Sequence, residues 1–137
     1  MRNPIELADR YVAVWNESSP EARRATVSEL WAEDGVHVLQ PPEEVVDSAS
    51  RPGIGVTAVF LARGHDELVA RVESAYTEFV ASGQMIFRRR GEVARVHDVV
   101  RFSWEAVSGG EVVGWGTDFV ILWADGRIRA DYQFVEA

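Results

Sequence analysis

The chain has 137 residues, 47% of them hydrophobic and 26% charged, with a formal net charge of −8. This length fits one domain with a sizeable core, and we expect a single domain over residues 1–137. The acidic balance argues against nucleic acid or an anionic membrane surface as a partner. The absence of cysteine excludes disulfides, thiolate chemistry and cysteine-ligated metal centres.

The basic residues number 14, and all of them are arginine. The lack of lysine excludes Schiff-base chemistry. Because arginine codons can be rich in G and C whereas lysine codons cannot, it also indicates a high-GC bacterial genome. The sequence contains neither an apolar run of about 18 residues nor a signal-peptide pattern. We therefore expect a cytoplasmic protein without a membrane partner.

Three segments carry helix-start signals. Asn3-Pro4 predicts a first helix that reaches about Asn16, and Ser19-Pro20 predicts a second that ends near Trp31. A third helix is predicted to open at Gly64. Its apolar residues recur at steps of three and four, namely Leu68, Val72, Ala75, Tyr76 and Phe79.

The remaining segments have the composition of strands. Residues 35–40 predict a short strand, and residues 41–63 predict a loop with a short strand near its end. From Gln84 onward, strands are predicted with turns near Arg90-Gly91, Ser108-Gly109-Gly110 and Asp125-Gly126. Helices followed by consecutive hairpins indicate an α+β fold, with helices covering one face of an antiparallel sheet.

One predicted strand contains a carboxyl group among apolar residues. Strand side chains alternate between faces, so Asp118 shares a face with Gly116 and Val120. Removing a charge from water is costly unless the group is paired, hydrogen-bonded or neutral. Asp118 is therefore either a structural carboxylate paired with an arginine or a group whose protonation state has a use.

Five short motifs recur in order along the chain, at residues 10–16, 30–35, 63–65, 116–118 and 125–128. In this order and spacing they resemble the nuclear transport factor 2-like superfamily, and within it the SnoaL-like polyketide cyclases and ketosteroid isomerases. The resemblance implies a cone-shaped α+β fold, in which three N-terminal helices pack on a strongly curved antiparallel sheet around a closed-ended apolar pocket. It also implies chemistry without a metal or cofactor.

The resemblance assigns roles to two residues. In ketosteroid isomerases, a carboxyl group at the position similar to Asp118 is kept protonated and binds the substrate oxyanion together with a tyrosine similar to Tyr11. In SnoaL-like cyclases, one pocket aspartate is the acid/base of an intramolecular aldol closure. The resemblance implies that Asp118 takes this role, and burial in an apolar pocket would raise its pKa.

The resemblance breaks at the isomerase general base. That base is an aspartate at the end of the first strand, before a proline, where this chain has Leu39 or Gln40. Neither side chain accepts a proton, so steroid isomerisation by that mechanism is not expected. His37 shares strand parity with Leu39 and is a candidate base. The competing interpretation is a buried structural histidine.

Matched to the isomerase register, the inward-facing side chains include a second acid. Asp131 would line the same cavity as Asp118, and the two groups would couple. An aspartate–arginine–aspartate arrangement, as in limonene epoxide hydrolases, would need Arg129 or Arg101. The candidate catalytic set is Asp118, Asp131 and His37. The candidate substrate-binding set is Tyr11, Trp15, Phe102, Trp104 and Gln133.

Two functions remain open. The first is a cofactor-independent isomerase, cyclase or hydrolase acting on a small hydrophobic carbonyl compound. The second is a non-catalytic module of the same fold that binds a small molecule or forms a dimer. An enclosed pocket to which the Asp118 carboxyl is exposed would favour the enzyme, and a filled cone with Asp118 bonded to arginine would favour the module.

Two further expectations concern partners. The three histidines lack the spacing of metal ligands, so no metal site is expected. A homodimer is expected through the outer sheet face, because Trp115, Phe119 and Ile121 would make that face too apolar to remain in water.

Overall fold

The computed structural model describes residues 3–40, 60–81 and 84–136. The described helices are α1 (Pro4–Trp15), α2 (Pro20–Leu30) and α3 (Gly64–Ala75), and α3 continues into a π-helical segment, Tyr76–Ala81. The strands are β1 (Trp31–Gln40), β2 (Phe60–Arg63), β3 (Met85–Val96), β4 (Val99–Ser108), β5 (Glu111–Leu122) and β6 (Ile128–Val135). Most of the predicted loop lies outside the described residues, but β2 confirms the short strand at its end.

The helices begin where their capping residues predict. The Asn3 side chain accepts a hydrogen bond from the Ile5 amide at 2.8 Å. The Ser19 hydroxyl accepts one from the Ala22 amide at 3.2 Å. In both helices a proline follows the cap, where its missing N–H costs nothing. None of the helices in the described residues combines the length and apolarity needed to cross a membrane.

The sheet has the strand order β2-β1-β6-β5-β4-β3. The predicted α+β fold with a curved sheet is confirmed, but the sheet is mixed. Strands β1 and β6 run parallel, whereas all other neighbours are antiparallel. A parallel pair requires a long connection, and here the whole chain between β1 and β6 provides it. Helix α3 belongs to this connection, so only α1 and α2 precede the sheet.

The reversal predicted near Arg90-Gly91 is wrong. Strand β3 continues through these residues with a register shift between Arg90 and Ala94, and the chain reverses instead after Val96. Gly91 has a φ of +72°, which suits a β-bulge as well as a turn, so its presence alone could not distinguish them. The other two predicted turns are confirmed between β4 and β5 and between β5 and β6.

The inner face of the sheet carries the core. Helix α1 packs there with Leu7, Tyr11 and Val14 buried. On β5, burial alternates as predicted: Gly116, Asp118, Val120 and Leu122 are buried, and Phe119 between them is exposed. The alternation directs the polar side chains of β5 and β6 toward α1, and this placement creates the site.

Candidate active site

Asp118 lies at the centre of the sheet with no exposed surface, on β5 between β4 and β6. Its Oδ1 accepts hydrogen bonds from Trp104 Nε1 at 2.8 Å and from Gln133 Nε2 at 3.1 Å. Its Oδ2 lies 2.9 Å from the hydroxyl oxygen of Tyr11 on α1. The side chains that donate N–H and O–H groups to this carboxyl are neutral, and among the described residues its hydrogen-bond partners do not include an arginine.

Asp131 is the second acid of the cluster, and it too has no exposed surface. Its Oδ2 lies 2.5 Å from the Tyr11 hydroxyl oxygen and 2.8 Å from Nδ1 of His37. The parallel pairing of β1 with β6 places His37 directly opposite Asp131. Helix α1 and strands β1, β5 and β6 thus bring Tyr11 and the three predicted catalytic residues, His37, Asp118 and Asp131, into one buried cluster.

The geometry limits where the protons are. Tyr11 has one hydroxyl proton but contacts two carboxyl oxygens, so it can donate to only one of them. Burial, then the charge of Asp131, raises the pKa of Asp118 well above its ordinary value. Burial and both carboxyls also raise the pKa of Tyr11, which keeps its proton. Asp118 therefore holds a proton, and Tyr11 donates to Asp131.

Burial raises the pKa of Asp131 only to about 6, because hydrogen bonds from Asp118 and Tyr11 and the charge of Arg71 lower it. Burial lowers the pKa of His37 to about 4. His37 is thus neutral near pH 7 and donates its Nδ1–H to Asp131, so this contact is a hydrogen bond rather than an ion pair. Two buried atoms of this pair, His37 Nε2 and Asp131 Oδ1, have no hydrogen-bond partner among the described residues.

A glycine allows one of these contacts. Gly116 on β5 lies opposite Trp104 on β4. A Cβ atom at Gly116 would collide with the Trp104 ring and lie 2.7 Å from the Phe134 carbonyl oxygen. The missing side chain therefore lets the indole cross the strand and reach Asp118, which is the kind of close approach that glycine in a strand indicates.

A cavity of about 290 Å³ adjoins the cluster. Trp15 and Leu39 line it. Its described lining residues also include Tyr11 of the cluster, and Trp104 and Gln133, which bond to Asp118. The carboxyl groups of Asp118 and Asp131 are not among them. The cavity therefore lies next to the acids. Three side chains connect them, because they line the cavity and also bond to the acids: Tyr11, Trp104 and Gln133.

The structure separates the other predicted residues into two groups. Trp15 lines the cavity and its ring lies 5.6 Å from that of His37, whereas Phe102 packs against the Tyr11 ring at 5.0 Å in the core. Arg101 is exposed, and Arg129 stacks on Trp123 with its Cζ 4.9 Å from the ring centroid. The suggested aspartate–arginine–aspartate arrangement with either arginine is not formed.

Among the described residues that line the cavity, the one arginine is Arg71 on α3, and sequence reasoning missed it. Its Cζ lies 5.2 Å from the centroid of the Trp15 ring. A signal was available, because Arg71 lies three residues after Leu68 and four before Ala75. These positions share one face of a helix, and Leu68 and Ala75 are buried.

The side chains of His37, Asp118 and Asp131 could each bring a ligand atom within 4.8 Å of the others. Their sequence positions gave no hint of this, since they come from three different strands. Metal ligands must be deprotonated, however. The raised pKa of Asp118 and the Tyr11 hydroxyl bonded to both acids favour a shared proton at this cluster over a cation.

Several solved structures resemble the chain. One is a candidate isomerase of the SnoaL-like family from Agrobacterium tumefaciens, 28% identical with a TM-score of 0.77, and the match covers 97% of each chain. The chain has the SnoaL-like, nuclear transport factor 2-like fold. A SnoaL-like protein of unknown function from Burkholderia thailandensis matches at 12% identity and TM-score 0.65, over 98% of this chain and 95% of that one.

Another match is a candidate polyketide cyclase from Sinorhizobium meliloti, 14% identical with a TM-score of 0.59, over 96% of this chain and 99% of that one. The matches at 12% and 14% identity bear on the fold alone. No protein-family profile matches the sequence, and no curated protein matches it with statistical significance. Any function of this chain therefore depends on the chemistry of its own site.

Proposed function

We propose that this SnoaL-like protein is a cofactor-independent acid/base enzyme, an isomerase or cyclase, acting on a small apolar carbonyl compound. The supporting observation is the Tyr11 hydroxyl, which bonds to two buried carboxyl groups while its side chain lines the cavity. The two carboxyl groups hold one proton between them, on Asp118, and Asp131 has a pKa of about 6. Such a group can give or take a proton near neutral pH.

In the proposed reaction, the Tyr11 hydroxyl turns from Asp131 to the carbonyl oxygen of the substrate. As negative charge develops on that oxygen, the Tyr11 proton moves to it, and Asp118 passes its own proton to the Tyr11 oxygen. The new Asp118 carboxylate keeps the hydrogen bonds that Trp104 and Gln133 donate. Asp131, the ionised acid held by His37, is the proposed acceptor for the proton lost from carbon, and in this proposal it becomes reachable from the cavity as Tyr11 turns away from it. Fixed donors in a dry site stabilise such charges far better than water does.

Enolisation can be tested without knowledge of the natural substrate. Apolar ketones such as 2-decalone and α-tetralone are incubated with the protein in D₂O, and exchange of the α-protons is followed by NMR. Tyr11→Phe removes the hydroxyl and keeps the ring, so we expect catalysed exchange to fall by about 100-fold or more. Tyr132→Phe makes the same change on the outer face, where Tyr132 is exposed, and should leave exchange unchanged.

Two results would contradict the enzyme. One is a panel of apolar ketones in which the protein accelerates no exchange. The other is equal exchange by the wild type and Tyr11→Phe. The same fold would then serve as a binding module, a second candidate that is favoured by the complete burial of both acids behind the cavity wall. A module would bind these ketones, detected by quenching of tryptophan fluorescence, without exchanging their protons.

The proposal includes a homodimer and a cytoplasmic location. The outer face of β5 and β6 carries Phe119, Tyr132 and Phe134, with exposed fractions of 36%, 42% and 47%. The Phe119 and Phe134 rings pack edge to face at 5.6 Å and form one apolar patch. A second copy of the chain is the proposed cover for this patch.

A further inference from the structure

The charge inside the cavity is concentrated at one residue. Among the described lining residues, Arg71 is the only side chain with a formal charge near pH 7, since the others are apolar or, like Gln133 and Tyr11, neutral. The whole chain is acidic, with a net charge of −8. The positive charge in the cavity is therefore not a consequence of the overall charge of the protein.

Arg71 is held in place by packing. Its helix buries Leu68, Val72 and Ala75 against the core, and its guanidinium lies over the Trp15 ring. Burial lowers the pKa of Arg71, while Tyr11, Asp131, Glu78 and Asp118 oppose that effect. An arginine remains charged despite such a shift. The protein thus keeps a partly desolvated positive charge at a defined position.

The nearby acids do not accept hydrogen bonds from all of the N–H groups of Arg71. Arg71 Nε is buried and has no hydrogen-bond partner among the described residues. Asp131 Oδ1 is likewise buried and without a partner there, so these two atoms do not bond to each other. A buried cation is costly unless its donors are satisfied, and an anionic group entering the cavity would offset that cost.

We propose that the cavity binds apolar molecules that carry a carboxylate, with Arg71 as the anion-binding residue. A guanidinium matches a carboxylate with two parallel hydrogen bonds, and the interaction is stronger in an apolar cavity than in water. Combined with the Tyr11 hydroxyl, this defines the substrate class as a hydrophobic oxo acid. The inference rests on the proposed function for the cavity and for the carbonyl at Tyr11, but carboxylate binding is measurable without turnover.

The test compares naphthalene-2-carboxylate with naphthalene-2-carboxamide by isothermal titration calorimetry at pH 7.5. The two probes share shape and ring, and they differ in charge. We expect the wild type to bind the carboxylate about tenfold more tightly than the amide or better. Arg71→Met should reduce this preference below about threefold, and Arg71→Lys should retain part of it.

The matched control is Arg24→Met. Arg24 is an arginine on α2 whose side chain is 56% exposed and pairs with Asp66, so this variant should keep the full preference. Circular dichroism and thermal melting establish that each variant is folded. If Arg71→Met does not fold, the comparison is made with Arg71→Gln.

The outcomes separate the two proposals. Equal binding of both probes by the wild type, or an undiminished preference in a folded Arg71→Met, overturns the carboxylate site and leaves the proton-transfer function standing. A clear carboxylate preference combined with no ketone exchange retains the site and removes the enzyme. Binding of neither probe overturns the carboxylate site and counts against the cavity as a binding site.

Discussion

Asp118 is completely buried, and side chains from α1, β4 and β6 contact its two oxygens. Oδ1 accepts two N–H bonds, as the carbonyl oxygen of a neutral acid does. Oδ2 faces the hydroxyl of Tyr11, which already donates to Asp131. Both oxygens of this buried acid therefore have partners, and its raised pKa places a proton on it.

This proton predicts how stability depends on pH. The unfolded chain ionises Asp118 above its ordinary pKa of 3.8, whereas the folded protein keeps the proton to a higher pH. As pH rises above 3.8, ionisation of Asp118 in the unfolded chain therefore lowers the free energy of unfolding of the wild-type protein. Asp118→Asn keeps the shape and the donor but cannot ionise. Relative to wild type, the free energy of unfolding of this variant should rise by up to about 1.4 kcal/mol per pH unit above pH 4.

Urea denaturation between pH 4 and pH 8 measures this difference. Asp34→Asn, the same substitution at an exposed position, is the matched control. A difference between wild type and Asp118→Asn that does not change with pH would mean that Asp118 is ionised in the folded protein. The proton assignment in the site would then be wrong.

At the scale of elements, the site depends on how neighbouring strands are paired. The parallel register of β1 and β6 sets His37 against Asp131, and the antiparallel register of β5 and β6 sets Gln133 against Asp118. The β4–β5 register sets Trp104 against Gly116. A slip of one residue in any of these pairs would turn the polar side chains to the outer face.

Gly116→Ala tests the β4–β5 contact. The new methyl group would collide with the Trp104 ring and the Phe134 carbonyl, so one of them must move. We expect the free energy of unfolding to fall by about 1–3 kcal/mol, the usual cost of overpacking. A double-mutant cycle with Trp104→Ala checks the cause, because removing the ring should reduce this cost. If Gly116→Ala lowers the free energy of unfolding equally with and without the Trp104 ring, the strain comes from the contact with the Phe134 backbone alone.

At the scale of the molecule, the two faces of the sheet form different surfaces. The inner face holds the cluster and the cavity, and the outer face presents the aromatic patch of Phe119, Tyr132 and Phe134. Because adjacent residues on a strand point to opposite faces, Asp118 and Phe119 belong to different surfaces. Assembly through the outer face would therefore leave the cavity chemistry unchanged.

Light scattering coupled to gel filtration at micromolar concentration should show a homodimer. Phe119→Glu places a charge in the patch and should yield a monomer, since an unpaired buried charge at the interface is costly. Val96→Glu changes an exposed valine at the β3–β4 turn and should leave the dimer intact. A monomeric wild-type protein would contradict the proposed assembly.

The sequence alone determined the features that depend on local chemistry. Capping residues predicted where α1 and α2 begin, and alternation predicted that Asp118 shares its face with Gly116 and Val120. The family resemblance supplied the cone and the inward direction of Tyr11, Asp131 and Gln133. A glycine with positive φ was ambiguous, because Gly91 could form either a bulge or a turn.

The tertiary structure alone decided which side chains meet. His37 and Asp131 are 94 positions apart and became partners only because β1 and β6 pair in parallel. The same packing placed both acids behind the cavity wall and brought Arg71, on a helix distant in sequence from the acids, to the cavity. Hydrogen bonds and pKa values depend on distances between remote residues, and local patterns do not contain those distances.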